Sequence, residues 1–167
     1  MQFEHDVQRE THARVEDYLP DFFEDPFHDQ ENGHFYVRYG STVLEISVDA
    51  YGPQEAVVKI TSYCVQNAEI SAKLTAELLA LNHDLAFGAF SMIGRDVFFS
   101  HSIFGRDMNA RRLLDAIAAV ANVADEYDDL LAAKYGGTTA LERIQQTGGR
   151  SQRRQQQDDD LESTLPS

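Results

Sequence analysis

Six histidines, one cysteine and a few acidic clusters are the residues with which this chain could do chemistry. His5, His12, His28, His34, His83 and His101 form neither an HExxH pattern nor another two-ligand spacing on one helix face. His28-Asp29 and His83-Asp84 are adjacent pairs, but neighbours in sequence point in different directions in a strand or helix, so no metal site is expected. Ser100-His101-Ser102 has the residue types of a nucleophile beside a base. It lacks a glycine-flanked elbow and an identifiable orienting acid, so His101 reads as a sheet histidine. Gly33, Gly40, Gly52, Gly94 and Gly105 fall singly at turns and make no phosphate loop. Asp158-Asp159-Asp160 lacks EF-hand spacing and reads as a solvated acidic run. Cys64 is the only cysteine, which excludes an intramolecular disulfide and a cysteine-based metal site, and its apolar strand context predicts a buried, inert thiol. No catalytic residue and no cofactor are expected.

Two patterns point instead to binding. In Asp21-Phe22-Phe23-Glu24-Asp25-Pro26-Phe27, the aromatic residues are interleaved with acids. They either cap the core or form a recognition element of apolar anchors with acidic steering, with Phe22, Phe23, Phe27, Glu24 and Asp25 as the partner contacts. The second pattern is a long helix over 113–135, where Leu113, Ile117, Val120, Ala124, Tyr127 and Leu131 recur at the period of one face. Asp125, Glu126, Asp128 and Asp129 crowd its C-terminal half, where the negative end of the macrodipole disfavours acids, and they form a second candidate partner site. Leu113, Leu114, Ile117, Val120 and Ala121 spread beyond one narrow stripe. That surplus predicts a homodimer interface, with a larger monomer core as the competing explanation.

Charge narrows the partner. The net charge is −14, and residues 1–32 carry ten acids against Arg9 and Arg14. Nucleic-acid binding requires cationic side chains to replace phosphate counterions, so direct nucleic-acid binding is not expected. Another protein with a basic or apolar docking surface, including a nucleic-acid-binding protein, is the natural complement. The alternative is an acidic mimic that occupies the basic groove of a DNA- or RNA-binding protein; it would space its carboxylates evenly, whereas these cluster. The first residues lack the basic and apolar regions of a signal peptide, and no apolar run reaches the roughly 18–20 residues that span a bilayer. A cytoplasmic protein without membrane contact is expected.

The elements that must position these residues are legible as periods. Residues 4–19 read as a helix ended by Pro20. Residues 34–39, 42–49 and 56–65 alternate apolar and polar side chains and read as antiparallel strands. Asn67 is the expected N-cap of a second helix carrying Glu69 in its first turn and Leu74, Leu78, Leu81 and Leu85 on one face. A hairpin follows, turning at Gly94-Arg95-Asp96, and the last helix begins near Asn109 and ends at Gly136-Gly137. Residues 138–147 add a short helix or fray. The result is one α+β domain over 1–147, order αβββαββα, with helices packed on an antiparallel sheet. From 148 to 167 the composition predicts a disordered polar tail.

That order resembles the YbjN family and its structural relatives, the CesT-like chaperones of type III secretion, over roughly residues 33–137. The resemblance rests on Leu81-Asn82 following the second helix, Phe87-Gly88-Ala89-Phe90 opening the next strand, Val97-Phe98-Phe99 pairing with it, and the helix ending Ala124-Asp125-Glu126-Tyr127-Asp128-Asp129-Leu130-Leu131. It implies a non-enzymatic, usually dimeric fold whose sheet and helical grooves hold segments of other proteins. The leading expectation is therefore a chaperone-like adaptor that binds a partner protein and acts as a dimer.

Overall fold

The computed structural model describes residues 2–139 and 142. The expected tail at 148–167 and most of 140–147 lie outside the described residues. Three helices pack against an antiparallel sheet, an α+β arrangement. The elements are α1 (Asp6–Tyr18), β1 (Phe27–Asp29), β2 (His34–Tyr39), β3 (Thr42–Ala50), β4 (Ala56–Gln66), α2 (Ala72–Asp84), β5 (Ala89–Ile93), β6 (Asp96–Phe104), α3 (Ala110–Tyr135) and β7 (Thr138–Thr139). The sheet runs β1-β2-β3-β4-β6-β5, and the two-residue β7 adds to the end of β4. The expected order holds, with two short strands added: β1 emerges from the acidic-aromatic loop, and Thr138–Thr139 is a strand where a helix or frayed end is expected.

Period two sorts the central strands into two faces. Phe35 and Val37, Leu44 and Ile46, Val58 and Ile60 are buried together, and register places Phe35 beside Ile46 and Ile46 beside Ile60. Helix α3 lies across β3, β4 and β6 on this face, so it needs an apolar stripe three strands wide. Leu113, Ile117 and Val120 are each 0% exposed and Ala121 is 2% exposed. These four side chains are therefore spent in the core of their own chain, and of the five expected at a subunit interface only Leu114 keeps partial exposure. The larger monomer core accounts for the apolar surplus.

Helix α2 departs from expectation at its start. Asn67 is not the cap; it sits at φ +58 in the left-handed region, where asparagine is among the tolerated residues. Its N–H donates to Asp96 at 2.9 Å, and the Ala68 and Glu69 N–H groups donate to the carbonyls of Arg95 and Tyr135. These bonds tie the segment to neighbouring elements before the helix begins. Ser71 is the N-cap, its hydroxyl accepting from the Leu74 N–H at 3.2 Å. At the other end Asn82 lies inside α2, and its amide accepts from the Phe90 N–H at 2.6 Å while donating to the Phe90 carbonyl at 3.0 Å. One side chain thus takes the place of a neighbouring strand at the outer edge of β5, where unpaired backbone would otherwise invite aggregation. Asn109 caps α3 as expected, and Gly136 at φ +68 ends it.

Candidate functional site

The acidic-aromatic loop leaves α1 through a 3-10 turn over Leu19–Asp21, and the Leu19 carbonyl accepts from the N–H groups of both Phe22 and Phe23. This turn separates the three phenylalanines. Phe23 is half-buried against the core, whereas Phe22 is 36% exposed and Phe27 55% exposed. Phe27 opens edge strand β1, pairs in register with Tyr36 and rests near its ring, centroids 6.1 Å apart. Glu24 and Asp25 are exposed between the two anchors. Of the five residues expected in this element, four are exposed and Phe23 packs against the core.

The acids of α3 also divide. Asp125, Glu126 and Asp129 are exposed, and Asp125 accepts a hydrogen bond from Ser41 at 2.5 Å, which ties α3 to the β2–β3 turn. Asp128 is half-buried, and loss of water raises its carboxyl to about 6, with Asp129 and Asp125 adding repulsion. It sits close enough to Cys64 to contribute to that thiol's shift; burial above all pushes Cys64 up to about 12, which makes it the inert group expected. These acids do not form one uniformly exposed row, and no described hydrogen bond or ion pair joins them to Phe22, Glu24, Asp25 or Phe27.

His12, His28 and His101 are held in structural contacts. His12 is 5% exposed and bonds the Gly33 carbonyl through Nε2 at 2.9 Å; burial depresses its pKa. Its ring packs against Phe3, His28 and Phe35, and His28 Nδ1 meets Glu16 at 3.0 Å. His101 packs on Phe87 with centroids 5.4 Å apart, and burial lowers its pKa. Ser100 and Ser102 alternate with it onto the other face of β6, so the three side chains do not converge as nucleophile and base. Among the described residues no cluster of three or more histidine, cysteine or acidic side chains could hold a metal.

One constellation escaped the sequence reading. Glu45 accepts from Tyr36 and Tyr63 hydroxyls at 3.3 and 3.4 Å and meets His34 Nδ1 at 2.7 Å. Two phenols and an imidazole on one carboxylate stitch β2, β3 and β4 together across the face opposite the core. The signal was present: Tyr36 and Glu45 are directly opposed once the β2–β3 hairpin register is set.

A family model described as "T3SS (YopN, CesT) and YbjN peptide-binding chaperone 1" matches residues 9–143. The chain belongs to this family. The match takes in α1, which the resemblance in the sequence left outside its span, and it makes the chain a member of a family of peptide-binding chaperones rather than of an enzyme class. No curated protein is close enough in sequence to match. Among solved structures the chain is similar to a chain of the "Crystal Structure of the ExsC-ExsE Complex", with a TM-score of 0.58 and 11% identity, covering 76% of this chain and 96% of that one. At that identity the likeness is one of fold. Among the described residues no helix is long and apolar enough to cross a membrane.

Proposed function

We propose that this chain is a cytoplasmic chaperone or adaptor that holds a segment of one partner protein, docking it at the β1 edge of the sheet. The observation that carries the reading is the surface at that edge: exposed Phe22 and Phe27 flank exposed Glu24 and Asp25 on a chain of the peptide-binding chaperone family. Apolar anchors supply the contact energy, and the acids, within a chain of net charge −14, draw in a segment carrying lysine or arginine. A nucleic-acid-binding protein is one partner with that chemistry. Asp125, Glu126 and Asp129 on α3 extend the acidic field, and Asp128 lies mostly beneath it.

The homodimer is part of this proposal. Because Leu113, Ile117, Val120 and Ala121 are spent inside the chain, its seam would use side chains such as Leu79 and Leu130, 65% and 55% exposed. The experiment is affinity capture from native extract in steps of rising salt, comparing wild type with Phe22→Ala/Phe27→Ala, with mass measured by light scattering. A defined partner retained at high salt by wild type and lost by the variant supports the reading. Capture of basic nucleic-acid-binding proteins alone, released by modest salt and indifferent to the variant, supports the acidic mimic instead.

A further inference from the structure

Strand β5 covers only part of β6. Their pairing stops at Ala89 opposite Ser100, where Gly88, at φ +71, turns the chain away. A Cβ at Gly88 would lie 2.5 Å from the Phe99 ring and 2.8 Å from the Ser100 carbonyl, so the turn is specific to glycine. Beyond it, His101–Phe104 is paired with β4 on one side and has no strand neighbour among the described residues on the other. The direction of the free backbone follows from Asn82. Its amide satisfies both polar groups of Phe90 from outside the sheet, so Phe90 and Phe99 are a non-hydrogen-bonded pair. Antiparallel alternation then sends the N–H and C=O of Ser102 toward the open side.

A hollow flanks this free edge on each face. One, of about 450 Å³, lies between β6 and the N-terminal half of α3 and is lined by Phe87, His101, Ile103, Ala116 and Ala119. The other, of about 430 Å³, lies against Tyr51, Val57 and Phe104. Both include Ser102, Ile103 and Phe104. A strand added to this edge would send alternate side chains into the two hollows in turn. Residues opposite His101 and Ile103 would enter the α3 hollow, and the one opposite Ser102 the other.

We propose that the His101–Phe104 edge receives an extended segment of a partner protein, apolar at alternate positions and flanked by lysine or arginine. This adds a second docking edge to the one at β1 and rests on the chaperone reading. The net charge of −14 selects the flanks: at the rim Asp49, Asp107 and Asp115 stand beside Lys59, Arg106, Arg111 and Arg112. Of these, Arg106 is paired with Glu55 at 2.8 Å, Arg111 with Asp115 at 2.9 Å, and Arg112 donates to the Asp107 carbonyl at 2.9 Å. A second copy of the chain would bring the same net −14 to this rim and fits it less well.

The test uses the full chain and a fluorescent peptide of alternating valine and threonine with two lysines at each end, read by anisotropy. Ala119→Arg fills the α3 hollow from a helix surface, and Ser102→Pro removes the free N–H without touching α3; unchanged melting confirms that each folds. The proposal expects either variant to weaken binding by about tenfold or more and N-methylation of the peptide backbone to abolish it. Equal binding by wild type and both folded variants overturns the site. A wild type that ignores the peptide yet captures a salt-resistant partner from extract overturns the site and leaves the chaperone reading standing; failure of both captures removes both. A wild-type dimer that Ala119→Arg converts to monomer shows a second copy on this edge and also overturns the proposal.

Discussion

Replacing Asn82 by alanine should destabilise the chain by about 1.5 kcal/mol, a value that follows from what the side chain touches. The amide makes two hydrogen bonds to one residue, Phe90, which is itself only 5% exposed. Because one bond needs an acceptor and the other a donor, the orientation of the amide is fixed by its partners. Each such bond contributes about 0.5–1.5 kcal/mol net, so losing both costs about 2 kcal/mol. Alanine is the better helix former, which returns roughly 0.5 kcal/mol within α2. With a urea m-value of about 1.5–2 kcal/mol/M for a domain of this size, the midpoint should fall by close to about 1 M. Asn82→Asp separates the two bonds: it keeps the acceptor for the Phe90 N–H and sets a carboxylate against the carbonyl, so its midpoint should also fall. Equilibrium urea unfolding followed by tyrosine fluorescence measures both. An Asn82→Ala midpoint within about 0.3 M of wild type would mean that water seals the β5 edge equally well, and the role assigned to Asn82 would be wrong.

Other consequences are as direct. Ser71→Ala should cost about 1 kcal/mol by removing the cap of α2, whereas Asn67→Ala should act through its positive φ and leave helix content in circular dichroism unchanged. Gly137→Ala should destabilise more than Gly136→Ala, because a Cβ at Gly137 would overlap the Gln66 carbonyl and one at Gly136 meets nothing within 4 Å; thermal melts rank them. Cys64 should resist iodoacetamide in the native chain at neutral pH and react on unfolding; rapid native labelling would contradict its burial. Asp128 is raised on folding from its ordinary value of 3.8 to about 6, so the native state holds its proton more tightly than the unfolded state. Its contribution is full below about pH 4 and is lost as pH rises through 6, so Asp128→Asn should gain stability relative to wild type over that interval. A difference that does not change with pH would show that Asp128 is not desolvated.

The sequence carried the fold wherever period and burial coincide. Phe35, Val37, Leu44, Ile46, Val58 and Ile60 face the core as their alternation requires, and Asn109 and Gly136 bound α3 where their chemistry places them. It failed where tertiary bonds decide. Asn67 has the type of an N-cap, but long-range bonds from its own segment to Asp96, Arg95 and Tyr135 delay the helix to Ser71. β1 and β7 are too short to show a period. The apolar breadth of α3 fitted either a second subunit or a wide monomer core, and only its path across three strands decides between them. At the candidate site, the interleaving of Phe22, Glu24, Asp25 and Phe27 was legible, whereas the inward turn of Phe23 depends on the 3-10 turn at Leu19–Asp21. The open end of β6 was not legible at all, since it depends on where β5 leaves its partner.

The central claim is that apolar contact, with acidic steering, holds a segment of another protein. Its most direct test is calorimetric titration of the full chain with the segment recovered from its captured partner, across a range of salt and temperature. The account predicts a negative heat-capacity change and an affinity that weakens only modestly as salt rises. An affinity that collapses with salt and a heat-capacity change near zero would contradict it and leave charge alone as the basis of binding.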